Sequence, residues 1–277
     1  MIPVLERTMV APNIHNLRLQ APDVARSAKP GQFVILQAEE DGERIPLTIS
    51  DWDAEKGDIT VVFMQVGATT GKLALLKAGD SIPTAAGPLG NPMELGNFGT
   101  VICVGGCYGI ASIYPIARAL KEMNNRVICV VEARSSFLFY WQEKLRKTSD
   151  EMIFITRDGS LGRRGHINNL GSIIPSIKGG VDRVIINGCN YVMMRGCEET
   201  RPLGIKTIVS LNTLMIDGTG MCGVCRVTVN GSNKFACVDG PHFDGHEVNW
   251  DELSSRRQAY LREETVTLRT SAPEKER

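Results

Sequence analysis

Between Asp217 and Cys237 the chain reads DGTGMCGVCRVTVNGSNKFAC, and three of its eight cysteines fall there. Cys222 and Cys225 form a C-x-x-C, Cys237 follows a short hairpin-like segment, and Asp217 stands five residues before Cys222. Were Asp217 a cysteine, its x4 and x2 spacings would be those of the plant-type [2Fe–2S] loop, whose fourth ligand comes from further along the chain. A carboxylate can also ligate iron, so Asp217, Cys222, Cys225 and Cys237 are the candidate ligands. Thiolates are the soft donors such clusters take. Gly218, Gly220 and Gly223 allow the backbone to wrap closely with positive φ. Zinc is the competing assignment, with Cys222, Cys225, Cys237 and either His242 or His246 as a Cys3His set; the usual paired knuckles are missing. A disulfide is a further alternative, although nothing marks the chain as secreted. Asp217 alone also reads as half of an Asp-Gly turn.

The elements that must carry this loop are ordinary in composition. The chain has 277 residues, enough for two or three domains. Lys plus Arg equals Asp plus Glu at 31 each, which gives no electrostatic footprint for nucleic acid. No apolar run reaches the roughly 18 residues that cross a bilayer. Met1-Ile2-Pro3 lacks the basic start and apolar core of a signal peptide, so a cytoplasmic protein is expected. The charged tail from Ser271 to Arg277 is expected to fray.

Residues 1–96 read as a small antiparallel β-barrel. Asn16–Gln20, Gln32–Gln37 and Asp58–Met64 are short strand-like runs separated by Pro-Gly, Asp-Gly and Lys-Gly turns. Two stretches look unlike barrel wall. Arg44 to Ser50 (RIPLTIS) sets an arginine, a stiffening proline and two hydroxyls among apolar residues. Gly67 to Gly71 (GATTG) precedes a short helix over Lys72–Lys77, whose start could bind an anion through backbone amides.

Residues 97–211 read as a parallel α/β domain. Val101–Val104 is a buried strand, Gly105-Gly106-Cys107-Tyr108-Gly109 a glycine turn, Ile110–Met123 a helix and Arg126–Val131 the next strand. The turn is of nucleotide type but is no strict G-x-G-x-x-G, and Gly105, Gly106 and Gly109 are its candidate contacts. Glu132 and Arg134 end the second strand; the first could bond a ribose hydroxyl and the second a 2′-phosphate, which leaves NAD and NADP both open. Val181–Ile186 and Thr207–Ser210 are further strands. Cys103 and Cys129 read as core, His15 and His166 as loop or surface groups. Residues 212–277 form the cluster lobe, ending in a helix over Asp251–Glu264 that carries no assigned chemistry.

The order RIPLTIS, then V-G-x-T-T, then GPLG resembles the flavin domain of the ferredoxin–NADP reductase superfamily. That resemblance implies FAD, with Arg44 and Gly67 to Thr70, hence Gly67, Thr69 and Thr70, at its pyrophosphate. Pro46, Leu47 and Thr48 would line the isoalloxazine, and Ile49 and Ser50 belong to the same flavin stretch. With DGTGMCGVCR and KFACVDGPHFDG included, residues 3–253 resemble the small subunit of NADH-dependent reduced ferredoxin:NADP oxidoreductase, also described as the alpha subunit of sulfide dehydrogenase. The dihydroorotate dehydrogenase electron-transfer subunit is a more distant likeness. In that family an aspartate and three cysteines hold the cluster, which falls on Asp217, Cys222, Cys225 and Cys237. Two turns depart from the family pattern: GGGxGxAP is GGCYGIAS here, placing Cys107 and Ser112 at a glycine and a proline position, and GPxxMM is Cys189-Asn190-Tyr191-Val192-Met193-Met194.

The expectation is therefore an electron-transfer flavoprotein subunit that relays electrons between NAD(H) or NADP(H), FAD and a [2Fe–2S] cluster. It would pass them to a larger flavin and iron–sulfur subunit, with flavin-based electron bifurcation a further implication of the resemblance. The alternative is an accessory subunit that holds flavin and cluster without turning over nicotinamide, as the altered turns would allow.

Overall fold

The structure is a computed structural model that describes residues 1–271, with side chains described to residue 266. The charged tail lies outside the described residues from 272 onward. The first part of the chain supplies β1 (Ile2–Ala11), β2 (Ile14–Gln20), α1 (Pro22–Ser27), β3 (Phe33–Gln37), β4 (Arg44–Asp53), β5 (Asp58–Met64), α2 (Ala68–Leu75), β6 (Ser81–Ile82) and β7 (Thr84–Leu89). Its strands form one antiparallel curled sheet in the order β6-β1-β2-β5-β4-β3-β7. Side chains alternate across a strand. Leu17 and Leu19, Ile59, Val61 and Phe63, and Val34 and Leu36 accordingly share the buried inner face.

The same alternation corrects two expectations. Arg44–Ser50 is barrel wall after all, because β4 pairs with both β3 and β5. His15 is no surface group: it lies on the face of Leu17 and Leu19, 5 % exposed, with its ring stacked 5.5 Å from that of Phe63. Helix α2 also starts earlier than Lys72. The Thr70 hydroxyl accepts the N–H groups of Val66 and Gly67 at 3.0 and 2.9 Å, which caps the helix at Gly67.

The second part supplies β8 (Thr100–Gly106), α3 (Gly109–Ser112), α4 (Tyr114–Glu122), β9 (Arg126–Ala133), α5 (Gln142–Lys147), β10 (Glu151–Thr156), β11 (Arg163–Arg164), α6 (Leu170–Ser176), β12 (Arg183–Asn187), α7 (Asn190–Thr200) and β13 (Lys206–Ser210). These strands are parallel, in the order β11-β10-β9-β8-β12-β13. Helices cover both faces, so β8 is buried along its whole length. Val101, Cys103, Cys129 and Val131 pack towards α4, and Ile102, Val104, Ile128 and Val130 towards α6 and α7; Cys103 and Cys129 are core, as expected. The helix read over Ile110–Met123 is broken at Ile113, because Pro115 has no N–H to continue the ladder.

The third part supplies β14 (Arg226–Val229), β15 (Ser232–Phe235), β16 (His242–Asp244), α8 (Trp250–Arg257) and α9 (Leu261–Ser271). β14 and β15 form a hairpin, while β16 joins the large sheet antiparallel to β13. The sheet is therefore not wholly parallel. The excursion through the cysteine loop leaves and returns at the same end of β13, and only an antiparallel strand can close such a path. The single helix read over Asp251–Glu264 is two helices. Arg256 and Arg257 donate to the carbonyls of Val224 and Asn212 at 3.1 and 2.8 Å, which ties the last turn of α8 to the loop.

Candidate functional site

Leaving β13, the chain makes three left-handed glycine turns, at Gly218 (φ +73°), Gly220 (+87°) and Gly223 (+67°). Gly218 also sits where a Cβ would meet Leu89 at 2.8 Å and Ile35 at 3.0 Å, so the loop lies directly on the barrel. The Asp217 carboxylate accepts the N–H groups of Thr219 and Cys222, both at 2.9 Å. Those bonds, the Thr219 one foremost, hold its pKa below the usual carboxylate value. Cys225 and Cys237 are buried with their sulfurs 3.2 Å apart, and Cys222 is exposed.

The four candidate ligands thus stand as a close sulfur pair and an aspartate bonded to the backbone of Cys222. Among the described residues no three His, Cys, Asp or Glu side chains gather to hold a single metal ion. A two-iron cluster takes its protein ligands pairwise, two per iron. The zinc alternative loses its fourth ligand. His242 is bonded through Nδ1 to Ser210 Oγ at 2.8 Å and through Nε2 to the Gly31 carbonyl at 3.1 Å. His246 Nε2 is bonded to Thr200 Oγ1 at 2.9 Å.

His242 also carries a pH prediction. Burial pushes its pKa down to about 4, although its bond to the Gly31 carbonyl acts the other way. The folded state favours the neutral ring, so its contribution is complete above the ordinary pKa near 6.5 and declines as pH falls from about 6.5 to 4. The loss amounts to roughly 3 kcal/mol. Denaturant unfolding at pH 7.5 and 4.5 should show it, and a His242→Gln variant should show a shallower pH dependence over that range.

Around the flavin stretch, Arg44 is exposed. Thr69 Oγ1 donates to Glu43 Oε2 at 2.7 Å, which brings the start of β4 to the start of α2. The Thr69 hydroxyl is therefore engaged by Glu43 and the Thr70 hydroxyl within the turn, and the free anion donors there are backbone N–H groups. Pro46, Leu47 and Thr48 are half-buried, and Ile49 and Ser50 fully buried. Pro46 and Thr48 face Ile35 and Phe33 in the β3–β4 register. Phe33 and Ile35 share a hydrophobic cluster with Cys225 and Cys237. One strand pair therefore separates the flavin stretch from the cysteine loop.

The glycine turn after β8 lies on the other flank, where α3 and α4 pack against β4. A Cβ at Gly105 would fall 2.8 Å from Ile110 Cα, and one at Gly109 2.1 Å from the Asn187 carbonyl, so neither position admits a side chain. At Gly106 the nearest atom is Val192 Cγ2 at 3.5 Å, an ordinary contact. Cys107 takes φ +52°, a conformation glycine adopts freely and cysteine at a cost. Glu132 is buried, with Oε1 at 3.4 Å from Arg157 and 3.2 Å from His166 Nε2. Burial raises its pKa against the pull of Arg157. His166 is in a loop, as expected, but at this carboxylate rather than at the open surface. Arg134 is exposed.

Four buried polar atoms at these strand ends have no hydrogen-bond partner among the described residues: Glu132 Oε2, Asn187 Oδ1, and Asn190 Oδ1 and Nδ2. Orphaned buried groups of this kind call for a bound molecule or water. Tyr108, Tyr140, Arg157, Asn187 and Asn190 also belong to this region, beyond the residues that the sequence points to. Only the departure of Cys189-Asn190 from the family turn signalled any of them. Two open crevices, about 580 and 520 Å³, lie elsewhere, behind the β14–β15 hairpin and at the opposite end of the parallel sheet.

A curled antiparallel sheet, a parallel α/β unit and a cysteine lobe in this order define a ferredoxin reductase-like electron-transfer protein. Residues 212–249 match the iron–sulfur cluster binding domain of dihydroorotate dehydrogenase B. The chain is 41% identical over 266 residues to a dihydroorotate dehydrogenase B (NAD(+)) electron transfer subunit homolog of Thermotoga maritima, covering 95% of this chain and 93% of that one. A chain in the structure of NADH-dependent reduced ferredoxin-NADP oxidoreductase superposes with a TM-score of 0.92 at 40% identity, over 98% of this chain and 97% of that one. A ferredoxin NADP+ reductase from Neisseria gonorrhoeae shares the fold, with a TM-score of 0.60 at 15% identity over 73% and 90% of the two chains. The chain belongs to the family of dihydroorotate dehydrogenase B electron transfer subunits. It is an oxidoreductase-type electron-transfer subunit. No helix among the described residues is long and apolar enough to cross a membrane.

Proposed function

We propose that the chain relays electrons between a nicotinamide nucleotide and a larger flavin and iron–sulfur subunit in the cytoplasm, through FAD and a [2Fe–2S] cluster of its own. Residues 1–96, 97–211 and 212–277 would be the flavin, nucleotide and cluster units. The observation that carries the proposal is the central place of β4, with the glycine turn packed on one flank through α3 and α4 and the cysteine loop on the other through β3.

Arg44 and the backbone N–H groups from Ala68 to Thr70, at the turn that Gly67 opens, would hold the FAD pyrophosphate, and Pro46 to Ser50 would wall the ring. Asp217 with Cys222, and Cys225 with Cys237, would supply two ligands to each iron. Gly105, Gly106 and Gly109 would let the nucleotide approach, with Glu132, Asn187 and Asn190 satisfied by its polar groups and Arg134 at its adenosine end. A flavin accepts a hydride pair and releases electrons singly to a one-electron iron–sulfur centre. Ile216, Met221 and Val238 stand directly beside Asp217, Cys222 and Cys237 and are 51%, 89% and 42% exposed. An apolar collar around the cluster suits a partner subunit docked there. In a larger assembly of this kind, flavin-based bifurcation is a further proposal.

Anaerobic purification should yield about two iron, two sulfide and one FAD per chain. Native mass spectrometry of material from the source cell should show a second redox subunit. Stoichiometric zinc without iron would overturn the cluster, and a monomer with full turnover on a small organic substrate would overturn the relay.

A further inference from the structure

Beyond the flavin stretch, β4 carries one residue, Asp51, that reaches away from the barrel, while its neighbour Trp52 stays packed against the barrel core. Ile49 is fully buried in the barrel core, and strict alternation would point Asp51 to the same face. The β4–β5 register shifts between Ile49 and Asp51 instead, and such a bulge re-aims the residue after it. Asp51 is thereby turned towards the α/β unit. Its Oδ1 accepts from Arg118 of α4 at 3.1 Å and its Oδ2 from Lys144 of α5 at 2.8 Å.

Aromatic rings surround these charges. The Arg118 guanidinium lies 5.1 Å from the Trp52 ring and 5.3 Å from Tyr114. The Lys144 ammonium lies 4.1 Å from Trp141 and 5.2 Å from Tyr114, and the Tyr114 and Trp141 rings meet edge-on at 5.6 Å. Trp141 is held at φ +52°, which a bulky residue adopts only under constraint from its surroundings. Its neighbour Tyr140 reaches the glycine turn. The Tyr140 hydroxyl donates to the Cys107 carbonyl at 2.9 Å and accepts from the Ala111 N–H at 3.2 Å. Tyr140 and Trp141 thus connect the nucleotide turn to the strand that carries the flavin stretch.

We infer that Asp51, Arg118 and Lys144, enclosed by Trp52, Tyr114 and Trp141, form a positioning joint that sets how the glycine turn meets the flavin strand. The inference rests on the nicotinamide and flavin reading above. Hydride moves with its electron pair only when donor and acceptor atoms stand about 3–3.5 Å apart and aligned. A joint that fixes the two units therefore acts on the transfer rate more than on nucleotide affinity. The Asp51–Arg118 pair is partly shielded, with side chains 21% and 31% exposed, while Lys144 is more open at 42%.

The test is anaerobic stopped-flow reduction of the flavin by NADH and by NADPH in wild type, Asp51→Asn and Asp51→Glu. In Asp51→Asn the limiting rate at saturating nucleotide should fall about tenfold or more, since a displacement near 1 Å can cost roughly a hundredfold. Its dissociation constant should change less than about threefold, with FAD and iron content retained. Asp51→Glu, which keeps the charge, should recover part of the rate. Lys144→Met should lower the rate likewise, and the double variant should lose less than the product of the two single effects. A wild-type limiting rate in Asp51→Asn, or joint loss of rate, affinity and cofactors that Glu does not rescue, would overturn the joint. Failure of the wild type itself to be reduced by either nucleotide would instead overturn the reading beneath it.

Discussion

Replacing Asp217 with alanine is expected to strip most of the iron from the chain during purification, whereas Asp217→Cys retains the cluster at a shifted potential. Two roles are open to the carboxylate. It accepts the Thr219 and Cys222 N–H groups, as an Asp-Gly turn would, and it stands at the position of the first ligand in the plant-type spacing. The two roles differ in magnitude. Loss of a turn or cap bond costs about 1 kcal/mol and leaves a cluster in place. Loss of one ligand in four opens an iron to solvent. Cysteine restores the ligand but replaces a hard oxygen with a soft sulfur, which moves the potential. Iron content and the paramagnetic signal of the reduced protein separate the outcomes. An unchanged signal and potential in Asp217→Ala would leave Asp217 as a turn former only.

The second large effect is expected at Gly109. A Cβ there would lie 2.1 Å from the Asn187 carbonyl and 2.8 Å from the Gly188 nitrogen, both backbone atoms that no side-chain rotation relieves. Gly109→Ala must therefore push the glycine turn away from the end of β12. We expect a stability loss of about 3 kcal/mol and loss of nucleotide-driven flavin reduction, with the cluster signal retained because the cysteine loop lies on the other flank of β4. Cys107→Gly should act in the opposite direction. It relieves a positive φ and clears a side chain from the turn, so nucleotide binding should tighten or flavin reduction quicken. Fluorescence or absorbance titration with NADH and NADPH, beside urea unfolding, measures both variants. Wild-type affinity and stability in Gly109→Ala would contradict the packing described here.

The cysteine loop was legible because its chemistry is local: ligand spacing and glycines with positive φ lie within some twenty residues of sequence. The parallel strands were legible because burial on both faces gives continuous apolar runs, as in Val101–Val104. The long-range contacts were not. Asp51 looks like a surface acid until a bulge that no residue type announces turns it towards Arg118 and Lys144. His15 sits in a strand of mixed polarity, and only its pairing opposite Phe63 shows which face it occupies. Tyr140 lies 33 positions from Cys107 and 29 from Ala111 in sequence, and the βαβ crossover brings them together. The break in the helix read over Ile110–Met123 came from one proline, Pro115, and the bonds that tie the end of α8 to the cysteine loop are made by two arginines to residues far off in sequence.

The most direct measurement is electron paramagnetic resonance of the purified chain after anaerobic reduction by NADH or NADPH, with flavin absorbance recorded on the same samples. If β4 links nucleotide, flavin and cluster as described, flavin bleaching is followed by the signal of a reduced [2Fe–2S] centre without any added mediator. A cluster that dithionite reduces but neither nucleotide does, beside an unbleached flavin, would contradict the relay and leave an accessory subunit.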